Sequence, residues 1–436
     1  MRPIVALVGR PNVGKSTLFN RLIGWRKAIV APQPGLTRDR LYGVCEWEGR
    51  EFTVVDTAGL EVAGAAGPEA QTRVAIEEAA VIVFMLDARE GVSAVDRDVA
   101  NLLRRSAAPV VVVANKADDA RREYLAHEVL ELGFDDPVRM SGQHGIGVDD
   151  ALDRVVALLP PAEPEPEGED AVARIAIMGR PNVGKSSLLN RLLGDERALV
   201  SEVPGTTRDP IDTEMLFDGL PVVLVDTAGI RRRTAARDRL EHYSLLRGIK
   251  AMERADVVLL VLEAHEGVLR QDQHVASYAL EAGKGVVVVV NKIDLVEGER
   301  RTARHWQDVI RREFKFAPYL PMVTCSARAG QGVQRLLPVA LEVAGQRHIR
   351  IPTGELNRFL REHFVSHPPP SFKGRRLKLK YATQAATDAP TVVLFVNDTG
   401  LLHWGYRRYL ENRLRERWSF SGSPIKLVLR ADSDRK

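Results

Sequence analysis

Cysteine is scarce in this 436-residue chain, where only Cys45 and Cys325 occur. Two thiols make neither a disulfide framework nor a metal-ligand set, and they suit a reducing compartment. Long hydrophobic runs are missing as well. Runs such as those at 257–262 and 286–290 have the length of strands, far short of the roughly 20 apolar residues of a membrane span. The opening MRPIVALVGRPN passes from a short apolar run straight into a glycine loop, which is not the layout of a secretory signal. A cytoplasmic protein without membrane attachment is expected. No compositional extreme is present either. With 45% hydrophobic and 28% charged residues, a wholly disordered or collagen-like chain is excluded. The length allows two to four compact domains, each with its own core.

The net charge of +4 is unevenly spread. Residues 1–160 carry −4, residues 161–172 carry −5, residues 173–344 carry +3, and residues 345–436 carry +10. A basic tail domain on a near-neutral body points to a polyanionic partner, against the plainer reading of a solvated surface.

The chain repeats itself. GRPNVGKS stands at 9–16 and again at 179–186, and DTAG at 56–59 and 226–229, both 170 residues apart. NKAD at 115–118 pairs with NKID at 291–294, 176 apart, and Ser141-Gly142 pairs with Ser326-Ala327, 185 apart. So long a period means two copies of one domain and not a solenoid. Apolar runs at 4–8, 53–55, 81–86 and 109–114, and again at 174–178, 221–225, 257–262 and 286–290, read as buried parallel strands. Alternation with helical stretches predicts α/β architecture, two doubly wound sheets. The segment 160–172, PPAEPEPEGEDAV, is an extended acidic tether. The predicted borders are 1–160, 161–172, 173–344 and 345–436. In the last, the pattern predicts a helix over 353–366, strands over 375–382, 391–397 and 425–430, and a basic helix over 401–418.

Each copy carries a Walker A loop, Gly-x4-Gly-Lys-Ser, between a strand and a helix. Its glycines let backbone N–H groups converge on phosphates at a helix N-terminus. The first loop offers Gly9, Asn12, Val13, Gly14, Lys15, Ser16 and Thr17, and the second Gly179, Asn182, Val183, Gly184, Lys185, Ser186 and Ser187. Lys15 and Lys185 are placed for the β- and γ-phosphates, with Ser16 and Ser186 for Mg²⁺. Asp56 and Asp226 follow an apolar strand, where a carboxylate holds Mg²⁺ through water. Gly59 and Gly229 offer a backbone N–H to the γ-phosphate. Thr37 and Thr207 lie 21 residues past their serines and are placed to ligate Mg²⁺ when triphosphate binds; Thr206 competes in the second copy, and the constant offset favours Thr207.

Base choice falls to Asn-Lys-x-Asp. The carboxylates of Asp118 and Asp294 accept guanine N1–H and the 2-amino group, which adenine cannot supply; such sites discriminate by roughly 10⁴. Asn115 and Asn291 brace the loop, while Lys116 and Lys292 pack on the base. Ser141 and Gly142, with Ser326 and Ala327, form turns whose Ser N–H can reach guanine O6. GTP is expected over ATP.

Tandem GRPNVGKS domains, the acidic tether and the basic tail with GELNRFL and GYRRYLENRLRERW resemble the bacterial ribosome-assembly GTPases of the Der (EngA) family. The resemblance covers essentially the whole chain. It implies a KH-like third domain and GTP hydrolysis coupled to maturation of the large ribosomal subunit and its rRNA, with no membrane or DNA partner and a monomeric state. No Gly-x-x-Gly stands after residue 344, so the usual KH grip on single-stranded RNA is missing. Leu60 and Ile230 stand where Ras-like switches place a water-orienting Gln. In place of that residue the resemblance offers K⁺ held by Asn12 and Asn182; the alternative is that these asparagines only brace the turn. Arg231-Arg232-Arg233 follows the second DTAG as a trans-acting finger, an RNA or interdomain contact, or a solvated run. Two other functions stay open: a GTP-dependent partner in RNA modification, and a nucleotide sensor with little turnover.

Overall fold

The computed structural model describes residues 2–25, 42–57, 76–117, 124–161, 173–195, 197–200, 212–227, 243–371 and 374–431. Thr37, Gly59, Leu60, Asp118, Thr206, Thr207, Gly229, Ile230, Arg231–Arg233 and most of the tether lie outside them. Two compact units emerge, Met1–Glu167 with Ala236–Lys250, and Gly168–Ala235 with Ala251–Lys436.

In the first unit β1 (Ile4–Val8) runs into the glycine loop and α1 (Lys15–Trp25). The sheet continues with β2 (Tyr42–Trp47), β3 (Arg50–Asp56), β4 (Val81–Asp87), β5 (Val110–Asn115) and β6 (Val138–Arg139), ordered β2-β3-β1-β4-β5-β6. Only β2 is antiparallel to its neighbour. β1 and β4 are buried along their whole length, because helices cover both faces of a parallel sheet. The helices are α2 (Ala94–Leu103), α3 (Tyr124–Glu131) and α4 (Val148–Leu158). The chain order reverses on either side of β1, which puts the glycine loop at the switch point where doubly wound sheets bind ligands.

The second unit repeats this pattern. Its sheet is ordered β13-β12-β11-β7-β10-β9-β8, from β7 (Ala173–Met178), β8 (Ala198–Val200), β9 (Thr213–Phe217), β10 (Leu220–Val225), β11 (Val257–Glu263), β12 (Gly285–Asn291) and β13 (Met322–Thr324). Its helices are α5 (Lys185–Leu193), α7 (Arg270–Glu281), α8 (Ala303–Glu313) and α9 (Leu336–Arg347), together with the last turn of α6 (Tyr243–Arg254), whose residues up to Lys250 belong to the first unit.

The same unit ends in α10 (Thr353–Ser366), β14 (Leu379–Ala386), β15 (Thr391–Val396), α11 (Trp404–Trp418) and β16 (Lys426–Ala431). The three strands form one sheet around a core that includes Leu356, Leu360, Leu394, Leu410 and Leu414. Two expectations shift here. The first strand begins at Leu379, not at residue 375, because the preceding backbone is strapped across to Asn397: Lys378 N–H donates to Asn397 Oδ1 at 2.7 Å and Asn397 Nδ2 donates to the Arg376 carbonyl at 3.0 Å. The basic helix begins at Trp404, not 401, since a short 3-10 turn over Thr399–Leu401 comes first and His403 caps the helix.

Candidate nucleotide sites and the basic C-terminal surface

Both glycine loops leave the C-terminal end of the central strand and enter a helix N-terminus. Asn12 and Asn182 adopt left-handed backbone, φ 64° and 61°, a conformation Asn tolerates better than most residues. Gly14 and Gly184 have φ 100° and 99°, and a Cβ on either would stand 2.2–2.3 Å from the amide nitrogen of Asn115 or Asn291. Only glycine fits there. Lys15 is buried, and its ammonium donates to the Gly9 and Arg10 carbonyls; Lys185 donates to Gly179 at 2.7 Å and to Arg180. A buried cation needs such partners. Val13 and Val183 are buried beneath the loops, whereas Ser16, Thr17 and Ser187 are exposed and Ser186 half-buried at the helix starts.

The asparagines of Asn-Lys-x-Asp act as braces. Asn115 Nδ2 donates to the Val13 carbonyl at 2.7 Å, and its Oδ1 accepts from Gly142 N–H at 2.8 Å. Asn291 does the same with Val183 at 2.9 Å and Ala327 at 2.9 Å. One side chain thus ties the phosphate loop to the Ser141-Gly142 or Ser326-Ala327 turn. Gly142 serves as well as Ala327, because the bond is to backbone and a Cβ at 142 would meet Asn115 at an ordinary 3.4 Å. The serine N–H groups are differently engaged from the expectation that they face guanine: Ser141 donates to Ile146 at 2.9 Å and Ser326 to Gln331 at 2.8 Å. Lys116 and Lys292 stand half-buried in left-handed backbone, and Asp294 is exposed in a 3-10 turn just beyond.

Several participants escaped the sequence reading. Lys116 Nζ is tied to Asp87 at 2.7 Å and Lys292 Nζ to Glu263 at 2.6 Å. Burial works against ionisation of Asp87, but the Lys116 ammonium and the Arg89 N–H overcome it and hold the carboxyl below its usual range. Arg10 is anchored to Asp96 at 3.2 Å, and Arg180 to Asp272 at 3.0 Å and to Glu266. The signal was there: an acid closes each apolar strand, VIVFMLD and VVLLVLE, at the repeat's offset of 176.

Asp56 is buried at the end of β3, and Asp226 is half-buried just past β10. Their carboxylates and the hydroxyls of Ser16 and Ser186 are hard oxygen donors, the chemistry Mg²⁺ prefers.

Family models match along most of the chain: one described as "50S ribosome-binding GTPase" over residues 4–116 and 174–292, one as "Elongation factor Tu GTP binding domain" over 246–346, and one as "KH-domain-like of EngA bacterial GTPase enzymes, C-terminal" over 350–430. "GTPase Der" of Chloroflexus aggregans is 52% identical over 441 residues, covering 99% of this chain and 98% of the relative. "GTPase Der" of Halalkalibacterium halodurans is 47% identical, covering 99% and 100%. This chain belongs to the GTPase Der family. It is a GTPase, and its third sheet is a KH-like domain. A solved structure of Era in complex with MgGDPNP and nucleotides 1506–1542 of 16S ribosomal RNA is 22% identical, with TM-score 0.31, over 60% of this chain and 93% of the other.

The basic tail of this Der-family member divides its charges between two tasks. Arg375, Arg376, Lys378 and Lys380 are exposed, although Lys378 precedes β14 and a register shift follows Leu379, so strand alternation does not place it on a face with Lys380. Arg407 and Arg415 are structural. Arg407 donates to Leu427 at 2.7 Å, and Arg415 donates to Phe420 and Ser423, both at 2.7 Å, while lying 3.3 Å from the ring centre of Tyr319 in the second GTPase domain. Burial lowers both guanidinium pKa values, and it raises that of Glu411 beside them. Arg408 donates to the Lys315 carbonyl, Arg413 pairs with Glu416, and Arg417 pairs with Glu355.

Proposed function

We propose that this GTPase is a cytoplasmic, monomeric switch that binds the large ribosomal subunit and assists its maturation, with domain borders near residues 160, 172 and 344. The observation that carries the reading is the pairing of two braced GTP motif sets with an exposed basic strap, Arg375–Lys380, on a KH-like domain joined to the second GTPase domain. That joint is extensive: Val286 N–H donates to the Gly422 carbonyl at 2.9 Å, and Arg347 reaches Asp388 and Asp256. Surface charge of this kind neutralises RNA phosphates and releases counterions.

In each site the loop amides and the lysine would bind the β- and γ-phosphates, and the aspartate of Asn-Lys-x-Asp would select guanine. Ser16 and Asp56, or Ser186 and Asp226, would hold Mg²⁺ together with Thr37 or Thr207; bound there, the ion supplies charge neutralisation on the phosphates. Gly59 and Gly229 would meet the γ-phosphate. Asn12 and Asn182 would hold K⁺, since their exposed side chains flank the phosphate loop.

Cosedimentation with large ribosomal subunits tests the reading. Protein carrying a GTP analogue is expected to pellet with the subunit several-fold better than GDP-bound protein, and Arg375→Glu with Arg376→Glu should remove most of that binding while guanine-nucleotide affinity stays. Equal binding in every nucleotide state would leave only a basic protein adhering to RNA. Retention on free tRNA in place of subunits would favour an RNA-modification partner.

A further inference from the structure

The two GTPase domains share their motifs, yet they hold the aspartate that opens DTAG differently. In the first, Asp56 is the last residue of β3, paired with Leu7 of β1, and Thr57 donates its hydroxyl to the Leu7 carbonyl at 2.7 Å. In the second, β10 stops at Val225 and Asp226 turns into left-handed backbone with φ 54°. Its N–H goes to Asp212 Oδ1 at 2.9 Å. The other oxygen of Asp212 is ion-paired with Arg254, the last residue of α6. Beside this, the hydroxyls of Thr213 and Thr227 meet at 2.7 Å.

The first copy has neither half of the pair. At the repeat's own offsets of 170 and 176, Tyr42 stands where the second has Asp212, and Glu78 where it has Arg254. Tyr42 lies in the sheet, paired with Val55, and a glutamate cannot replace the guanidinium.

We propose that Asp212 and Arg254 are positioning residues that latch Asp226 in its left-handed turn, so that α6 sets the carboxylate of the second domain's Mg²⁺ site, a control the first domain lacks. One carboxylate serves both the Asp226 N–H and the guanidinium. Removing Arg254 takes away the ion pair that fixes Asp212, and the turn at Asp226 loses part of what holds it. Left-handed backbone persists at a non-glycine residue only where its surroundings hold it. Arg254 closes α6, so its position bears on Asp226 through the Asp212 carboxylate. The Mg²⁺ part rests on the reading of Asp226 given above, and the latch itself does not.

The test uses the full chain with Lys15→Ala, which silences the first site. Two quantities are measured: hydrogen exchange at the Asp226 amide without nucleotide, and the Mg²⁺ concentration that half-maximally slows release of a fluorescent GDP. Asp212→Leu and Arg254→Ala should speed the exchange by about tenfold or more, since a local opening then has fewer bonds to break, and should move the Mg²⁺ midpoint several-fold. Arg254→Lys should restore most of both. Asp212→Asn, which keeps an acceptor but loses the charge, should fall between, and these two near-isosteric variants carry the test if the others do not fold. Glu78→Ala in a Lys185→Ala background should leave the first site's midpoint where it was. Unchanged exchange in Asp212→Leu or in Asp212→Asn overturns the latch. Faster exchange with an unmoved Mg²⁺ midpoint overturns the reading of Asp226 as the Mg²⁺-facing aspartate.

Discussion

At the scale of single residues, each site turns on an asparagine that reaches two loops at once. Asn291→Ala leaves the Val183 carbonyl and the Ala327 N–H without their partner in a buried setting, a penalty of about 1–3 kcal/mol for each stranded group. Guanine-nucleotide affinity of the second site should fall at least tenfold, read by titration in a Lys15→Ala background, and Asn115→Ala should do the same to the first. Asp294, exposed in its turn, is the proposed base reader: Asp294→Asn should move the second site from GTP towards XTP, because xanthine presents a carbonyl where guanine has its amino group. Unchanged guanine preference would clear Asp294 of that role. Asp87 makes a pH prediction. Its carboxyl is held below the ordinary value of 3.8, so its contribution is complete above that value and is lost as pH falls below it towards the folded pKa. Acid unfolding of Asp87→Asn should therefore be shallower than that of the parent at pH below about 4, in the same sense for Lys116→Met. Cys325 is pushed up to about 12 by burial, and Cys45 is buried too, so neither should be alkylated until the chain unfolds.

At the scale of elements, the phosphate loops are shaped by backbone that few residues adopt. Left-handed Asn12 and Asn182 stand two residues before a glycine that permits no side chain. Gly14→Ala would drive a Cβ into Asn115, separating loop from brace, and should abolish nucleotide binding at the first site while the second still titrates with one equivalent. The asparagines themselves divide two roles. If they hold K⁺, turnover rises when Na⁺ is replaced by K⁺ at equal ionic strength, and Asn12→Ala or Asn182→Ala removes the rise in its own domain. Equal rates in both salts leave them as braces of the turn.

At the scale of the whole molecule, the second GTPase domain and the KH-like domain share one compact unit, and the contact is load shared between polar and aromatic groups. The Arg415 guanidinium over Tyr319 is desolvated, the setting in which a cation–π contact is worth about 2 kcal/mol. Arg415→Ala should lower the melting temperature of this unit by several degrees and expose Tyr319 to solvent, seen by its fluorescence. Removing the KH-like domain outright should cost far more, because the Val286 N–H loses the Gly422 carbonyl and Asp256 loses Arg347. Charge variants at Arg375 and Arg376 are the cleaner probe of RNA binding, since those side chains are exposed.

The sequence by itself determined what is local and repeated. Strand, glycine loop and helix follow one another at fixed spacing, so the apolar runs, both Walker loops and the helix over Thr353–Ser366 were legible from order alone. Pairing across the chain was decided only by tertiary structure. That Asp87 and Glu263 tether the motif lysines, that Asn115 and Asn291 span two loops, and that Arg407 and Arg415 hold the fold depends on residues from 20 to more than 100 positions away. An arginine in a basic helix has the same sequence signature whether it faces solvent or a neighbouring domain. Burial makes the difference, because a desolvated guanidinium must find carbonyls and aromatic faces, and only the packed chain supplies them. The same holds for Asp226: its motif matches that of Asp56, but the left-handed turn comes from Asp212 and Arg254, which stand 14 residues before it and 28 after.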